Sequence, residues 1–354
     1  MSKKFEKAIL IGRYEPAHHG HLRNFAYASS IAERVQILIG SSYQPRTIKN
    51  PFTAEERKLM ISNSLFRFPN SMLDHYNTFY SYIRDFGYND NLWISNVQQV
   101  VKDLHPNIPD EKIAILGYEK DDSSWYLRAF PKWTFVPLEG YVDIGSHPID
   151  ATKIRELYFE GLFDYIKGAV PEKVLEFLEQ FSYTQEYKTL VEEYQFIKNY
   201  KESWAAAPYA PTFFTVDAVV IQGGHILLVR RKSSPGKGLW ALPGGFVNQK
   251  ETALNACLRE LKEETGIKVP PVILQSSITY EKLFDKPDRS LRGRTVTQAY
   301  LIELTGGDTK LPKVKGDDDA EEAQWFPINQ ALEMSEVLFE DHYSIIQTMV
   351  GRAK

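Results

Sequence analysis

Cysteine is nearly absent from this chain: among 354 residues there is one, Cys257. A single thiol forms no intrachain disulfide, and its place on an apolar helical stripe reads as core packing rather than catalysis. Long hydrophobic runs are missing too, so no segment has the length of a membrane-spanning helix. The basic start, MSKKFEKAILIGRYEP, offers only a short apolar stretch at 8–11, too little for a secretory signal. Excess charge of one sign is lacking. A net charge of -4 argues against non-specific nucleic-acid binding, while leaving room for local cationic phosphate pockets. Neither G-x-G-x-x-G nor G-K-[ST] occurs, which disfavours a dehydrogenase or a P-loop kinase. Internal repeats are absent, as are low-complexity tracts beyond one acidic run at 317–322. The remaining composition is that of a soluble globular protein, long enough for two domains with separate cores. A cytoplasmic enzyme is the expectation.

Short apolar runs at 8–11 and 35–39 each end in glycine, Gly12 and Gly40. Between them Leu22, Phe25, Ala26 and Ile31 recur at helical spacing. Strand, helix, strand reads as a right-handed parallel unit. The alternation continues with a capping box at Thr53 and Glu56, a strand at 77–83 and a helix at 91–104. Further strands follow at 113–116 and 133–137. The pattern predicts a doubly wound, Rossmann-like α/β domain with its ligand site at the carboxyl ends of the strands.

The first strand-to-helix turn runs Gly12-Arg13-Tyr14-Glu15-Pro16-Ala17-His18-His19-Gly20-His21. His18 and His21 stand three apart and share a face at a helix start, where free N–H groups favour phosphate. Gly20 admits close approach to the backbone. Zinc binding and plain packing are the competing readings of the histidines, and neither has a third ligand or an apolar pattern behind it. The H-x-G-H of His18, Gly20 and His21 resembles the nucleotidyltransferase superfamily. That superfamily has a second signature, S-x-T-x-I-R, and Ile149-Asp150-Ala151-Thr152-Lys153-Ile154-Arg155 stands in its place. Asp150 and Ala151 depart from the usual serines; Thr152 and Arg155 match. The stretch from Asn50 to Arg57, preceded by Arg46, is similar to archaeal-type nicotinamide mononucleotide adenylyltransferases. So is Asn89-Asp90-Asn91-Leu92-Trp93. The resemblance implies that Gly12, Arg13, Tyr14, Gly20, Arg46, Asn89, Gly117 and Thr152 bind substrate. It further implies that His18, His21 and Arg155 are catalytic, and that Trp93 stacks on a nicotinamide ring. A core aromatic on its helix is the other reading of Trp93. Gly117 opens a polar loop to Leu127 that resembles the corresponding loop in bifunctional proteins joining this adenylyltransferase to a Nudix domain.

Residues 156–204 read as mostly helical, and 205–211, with two prolines, as the linker. Strands are expected at 213–221, 226–229, 277–280 and 295–304. Residues 245–267 read GFVNQKETALNACLRELKEETGI. Asn248 with Glu251 looks like a helix N-terminal box, and Gly266 like a C-terminal cap. Ala253, Leu254, Cys257, Leu258 and Leu261 form the apolar stripe. Glu260, Glu263 and Glu264 share another face at i, i+3 and i+4, where like charges oppose the helix by about 0.2–0.5 kcal/mol per pair. A hard divalent cation, Mg2+ or Mn2+, would offset them. The full spacing from Gly245 through Glu251 and Arg259 to Ile267 resembles the Nudix hydrolase family. That resemblance implies an α/β/α domain in which Glu260, Glu263 and Glu264 hold metal, Glu263 and Glu264 being catalytic. It makes Gly245 and Glu251 accessory, Arg259 a structural partner, and Glu321 or Glu322 a general base.

Domain bounds are expected at 1–183, 184–211 for a helical bridge and linker, and 212–354. The reading that results is a bifunctional enzyme of pyridine nucleotide metabolism. One domain makes NAD from ATP and nicotinamide mononucleotide; the other hydrolyses ADP-ribose to AMP and ribose 5-phosphate. Small molecules are the expected partners, without nucleic acid or membrane, and self-association is left open. Two rivals remain: an adenylyltransferase for another phosphate acceptor, with a Nudix domain acting on another nucleoside diphosphate derivative, and a nucleotide-sensing regulator.

Overall fold

Burial decides the first half of the chain. Ala8, Ile9 and Leu10 are almost fully enclosed, as a parallel strand covered on both faces must be. The structure, a computed structural model, describes residues 3–65, 77–119, 122–138, 150–305 and 310–353. It falls into two compact units, Met1–Val191 and Glu192–Lys354.

The first unit contains β1 (Phe5–Gly12), α1 (His19–Ile31), β2 (Ala32–Ser42), α2 (Ala54–Leu65), β3 (Thr78–Arg84) and α3 (Asp90–Leu104). It continues through β4 (Ile113–Gly117), β5 (Thr134–Pro137), α4 (Ala151–Phe159) and α5 (Glu172–Phe181) into α6 (Gln185–Ser203), within which the division falls. The five strands are parallel in the order β3-β2-β1-β4-β5. Strand order reverses between β1 and β4, so the crevice lies at their carboxyl ends, at Gly12 and Gly117. The predicted capping box closes α2: Thr53 N–H donates to Glu56 Oε2 at 2.8 Å, and Glu56 N–H to Thr53 Oγ1 at 3.3 Å. The core beneath joins Ile9, Leu38 and Ile115 to Val97 and Val101 of α3.

The second unit adds β6 (Phe213–Gln222), β7 (His225–Arg231), β8 (Trp240–Ala241), β9 (Gly244–Phe246), α7 (Ala253–Thr265) and α8 (Pro271–Ser276). Then come β10 (Ile278–Phe284), β11 (Thr295–Glu303), β12 (Ala320–Pro327), α9 (Ile328–Ala331) and α10 (His342–Val350). The sheet runs β10-β11-β6-β7-β12, with β8 on β7 and β9 on β6. Only the β6–β11 pair is parallel among the described strands of this sheet.

Ala256, Cys257 and Leu261 of α7 pack on Val216, Ala218 and Val220 of β6, with Ala253, Leu254 and Leu258 at the margin. Full burial of a leucine such as Leu261 contributes about 1.5–3 kcal/mol. Burial also pushes the Cys257 thiol far up, which agrees with a packing role. Gly266 caps the helix with φ +56° and donates to Lys262 O at 2.9 Å. The expected N-terminal box is corrected. The helix begins at Ala253 and is capped by Thr252, whose Oγ1 accepts from Asn255 N–H at 3.2 Å. Asn248 and Glu251 close a preceding turn, because the Glu251 carboxylate is claimed by Arg259. No described helix is long and apolar enough to cross a membrane.

Two candidate active sites

The first site forms where β1 hands over to α1. His18 is the N-cap residue with extended backbone, and its N–H donates to His21 Nδ1 at 3.2 Å. The two rings stack 3.7 Å apart, on the shared face expected of i, i+3 residues. Accepting at Nδ1 places the His21 proton on Nε2. His18 Nδ1 is buried without a hydrogen-bond partner among the described residues, an orphan that asks for a ligand. Burial lowers His18 to about 4 and His21 well below the usual range, so both rings are neutral at pH 7 without an anion nearby.

The second signature comes to the same place. Asp150 caps α4 by accepting from Thr152 N–H at 2.8 Å, and its charge reaches His18. Arg155 is 5% exposed. Its Nη1 donates to Glu15 O at 2.7 Å and to Ala151 O at 3.2 Å; its Nη2 donates to Thr152 Oγ1 at 3.2 Å. Burial, then Arg13, lower its pKa to about 10. Arg155 thus fastens α4 to the histidine loop. Arg13 spends one nitrogen on Asn50 Oδ1, at 3.3 Å, and the rest have no partner among the described residues.

Other expected residues have mostly internal tasks. Arg46 forks onto Glu56 at 2.6 and 2.8 Å and lies over Phe181. Tyr14, buried and in the left-handed region, lies edge-on to His21 and fills the space a Cβ at Gly12 would need. Gly20 is buried in the first turn of α1. A Cβ on Gly117 would meet Leu127 at 2.3 Å. Asn89 caps α3, accepting from Leu92 N–H. Trp93, one turn on, is half-buried among Trp125, Tyr126 and Phe130. Lys120, Asp121 and Ile149 of the expected motifs lie outside the described residues.

Arg57 closes the Asn50–Arg57 stretch, but sequence reasoning gave it no role. It is 1% exposed and donates to the carbonyls of Arg13 (2.7 Å), Gly40 (2.6 Å) and Ser41 (3.2 Å). Its Nε lies 3.1 Å from Glu15 Oε1. Burial pushes Glu15 up to about 8 despite Arg57, because the desolvation of the carboxylate outweighs its partner. A signal was present: Arg57 shares the buried face of α2 with Met60, Ile61 and Ser64.

The second site lies on the loop and helix 245–264. Gly245 makes room for a carboxylate, since a Cβ there would stand 2.6 Å from Glu260 Cδ and Oε1. Glu264, 7% exposed, accepts from Gly244 N–H at 2.9 Å, and burial pushes it up to about 8. Arg259 donates to both oxygens of Glu251 (2.7 and 3.1 Å), to Glu260 (2.8 Å), Glu263 (2.9 Å) and Phe246 O (3.2 Å). Its guanidinium holds Glu251 down to about 2. Arg259 thus faces three carboxylates, Glu251, Glu260 and Glu263, with Glu264 buried beside them.

No group of three or more metal-binding side chains is preassembled among the described residues, Arg259 holding two of the glutamates. The donor set itself, all oxygen and cradled against glycine, fits a hard divalent cation. Glu321 and Glu322 are exposed on β12, Glu321 lying 3.8 Å from Arg230. The loop carboxylate whose charge reaches Glu260 is Asp318, which the sequence reading did not single out.

Fold and sites together define a nucleotidyltransferase domain followed by a Nudix domain. The Cytidylyltransferase-like family matches residues 9–128 and the NUDIX domain family residues 211–349. The nicotinamide/nicotinic acid mononucleotide adenylyltransferase of Acinetobacter baylyi is 37% identical over 192 residues, 54% of this chain and 95% of that protein. The ADP-ribose pyrophosphatase of Methanocaldococcus jannaschii is 37% identical over 132 residues, 37% of this chain and 69% of that protein. A crystal structure of a bifunctional NMN adenylyltransferase/ADP ribose pyrophosphatase from Francisella tularensis, complexed with AMP and a manganese ion, superposes with TM-score 0.87 and 34% identity. That match covers 98% of this chain and 99% of the other. The chain belongs to the family of bifunctional NMN adenylyltransferase/ADP-ribose pyrophosphatases.

Proposed function

We propose that residues 1–183 join nicotinamide mononucleotide to the adenylyl group of ATP, giving NAD and pyrophosphate. Residues 212–354 hydrolyse ADP-ribose to AMP and ribose 5-phosphate, and 184–211 form the helical bridge and linker. The observation that carries the first activity is the Arg155 to Glu15 hydrogen bond at 2.7 Å, which supports a single site built from two distant motifs.

The acceptor brings its own phosphate nucleophile, so the protein need only orient it and stabilise charge. His18, His21, Arg13, Thr152 and the N-terminal end of α1 face the triphosphate as charge builds on the leaving pyrophosphate. Each neutral ring donates one N–H, and the negative ligand raises its affinity for a second proton. Arg155 holds the loop in register while carrying a positive charge beside it. Asn89 and Trp93 lie on the acceptor side, Trp93 offering a face to nicotinamide.

In the second domain the cation is divalent, held by Glu260, Glu263 and Glu264, and magnesium, a hard cation, fits these oxygen ligands. When bound it supplies polarisation of a phosphoryl group and activation of water. Glu251 and Arg259 fix the loop that carries Gly245. The general base comes from the acidic loop: Glu321 and Glu322 follow the family pattern, and the charge of Asp318 reaches Glu260. The working place is the cytoplasm.

Separated variants test this reading. His21→Ala should lower NAD formation about 10²–10³-fold and leave AMP release from ADP-ribose near normal. Glu263→Gln should do the reverse. Equal loss of both activities in a folded chain would defeat the two-site assignment.

A further inference from the structure

Behind the glycines that serve Glu260 and Glu264 lies a buried polar network with no place in the roles above. His342, the first residue of α10, is buried. Its Nδ1 accepts from Leu242 N–H, 100 positions away in sequence, at 2.8 Å. Accepting there puts the ring proton on Nε2, which faces Asp217 Oδ1 of β6 at 3.7 Å. Asp217 is buried as well, and its Oδ2 accepts from Thr297 Oγ1 of β11 at 2.6 Å. Burial lowers His342 to about 3, so the ring is neutral and Nδ1 stays an acceptor.

Leu242 opens the segment that joins β8 to β9, and this segment is fixed at three successive residues. Leu242 N–H goes to His342, Pro243 O accepts from Ala218 N–H at 2.8 Å, and Gly244 N–H donates to Glu264 Oε2 at 2.9 Å. Gly245 then leaves the room that Glu260 fills. The residues before His342 are held just as closely. Phe339 N–H donates to Trp240 O of β8 at 2.8 Å, and Arg289 forks onto Asp341 at 2.7 and 2.9 Å. Between them Glu340 takes the left-handed backbone at φ +45°, a strain that persists only where the surroundings impose it. A residue needed for packing alone would not require an acceptor aimed at one amide.

We propose that His342 is a positioning residue for the second-site reaction: by holding the Leu242 amide it sets the Pro243–Gly245 turn, whose Gly244 N–H orients Glu264 and whose Gly245 receives Glu260. Asp217, itself held by Thr297, keeps the ring turned with its acceptor toward Leu242. The assignment rests on reading this domain as a metal-dependent hydrolase of ADP-ribose. His342 touches neither cation nor substrate; it acts through the backbone that presents the carboxylates, as outer partners of metal ligands do.

The test compares wild type with His342→Phe, which keeps a ring and removes the acceptor, and with His342→Asn, whose side-chain oxygen can take the place of Nδ1. Two quantities are read on the full chain well below its melting temperature: kcat and KM for AMP release with magnesium in excess, and Kd for Mn2+ by titration without substrate. His342→Phe should lower kcat and weaken Mn2+ binding, each about 10–100-fold, and leave KM unchanged. His342→Asn should restore most of both. A folded His342→Phe chain with wild-type kcat and wild-type Kd for Mn2+ overturns the proposal, even if it melts earlier, because a histidine that only packs would give that result. If His342→Phe does not fold, Thr297→Val decides. Releasing Asp217 should shift kcat and the Mn2+ Kd in the same sense, and wild-type values there overturn the role. Should wild type release no AMP from ADP-ribose while the Mn2+ differences hold, the substrate reading falls and the positioning role stands.

Discussion

Replacing Gly245 by alanine would put a methyl group into the space that the Glu260 carboxylate fills. The new Cβ would lie 2.6 Å from Cδ and Oε1 and 2.8 Å from Oε2. Non-bonded carbon contacts settle near 3.5–4.0 Å, so the carboxylate must withdraw by roughly 1 Å. It is the far end of a flexible side chain, and withdrawal costs little stability. Its position is what suffers: a displacement of about 1 Å in a reacting assembly can lower the rate about 10²-fold. Gly244 is the control. A Cβ there meets the backbone carbonyl of Val216 at 2.1 Å, and a strand cannot step aside. Gly245→Ala should therefore lose about 10²-fold in kcat/KM for ADP-ribose with nearly unchanged melting. Gly244→Ala should lower the melting temperature of the second unit as well. The assay is AMP release at saturating magnesium, with NAD formation by the same preparation as internal standard. Wild-type hydrolysis by a folded Gly245→Ala chain would refute the argument that Gly245 positions Glu260.

Three further outcomes are expected. Trp93→Ala should raise KM for nicotinamide mononucleotide about threefold to tenfold, the worth of an aromatic stack, and leave KM for ATP alone; an unaltered acceptor KM assigns Trp93 to the core. Acid should destabilise the first unit through His18, because the folded ring stays neutral down to about 4 whereas the unfolded ring binds a proton below about 6.5. The loss between those pH values is roughly 3 kcal/mol, and Glu15, raised in the fold, has the opposite sign. Subtracting the urea stability of His18→Asn isolates the histidine, and a flat difference contradicts its burial. Magnesium at about 100 times its Kd should stabilise the second unit by about 2.7 kcal/mol, read as a rise in melting temperature that Glu264→Gln abolishes; an equal rise in that variant would place the cation elsewhere.

Much of the architecture was legible because it depends on periodicity. Apolar runs ending in Gly12 and Gly117 mark strands whose carboxyl ends make the crevice, and the Thr53–Glu56 box starts α2 as its residue types require. The second site was legible as a spacing of charges. Less legible was which charges turn inward. Arg155 and Arg46 look like free phosphate ligands in sequence, yet each guanidinium is engaged by a neighbour from another segment. Glu251 suggests a helix cap because its spacing from Asn248 is right, but Arg259, eight residues on, competes for the same oxygens. Asp318 carries no local pattern: the Glu260 that its charge reaches stands on α7, and only the folded chain brings them together.

Arg57 has a consequence for how nucleotides enter. Its guanidinium is shared among the ends of β1 and β2, the Glu15 carboxylate and the start of α2. If any one of these segments lifted away alone, a buried cation would lose a hydrogen bond, a cost of about 1.5–3 kcal/mol. The segments therefore open as one cooperative unit, and their amides should exchange with solvent at a common rate set by that unit. Discrimination at the ends of β1 and β2 is then expected to come from fit to a stiff frame.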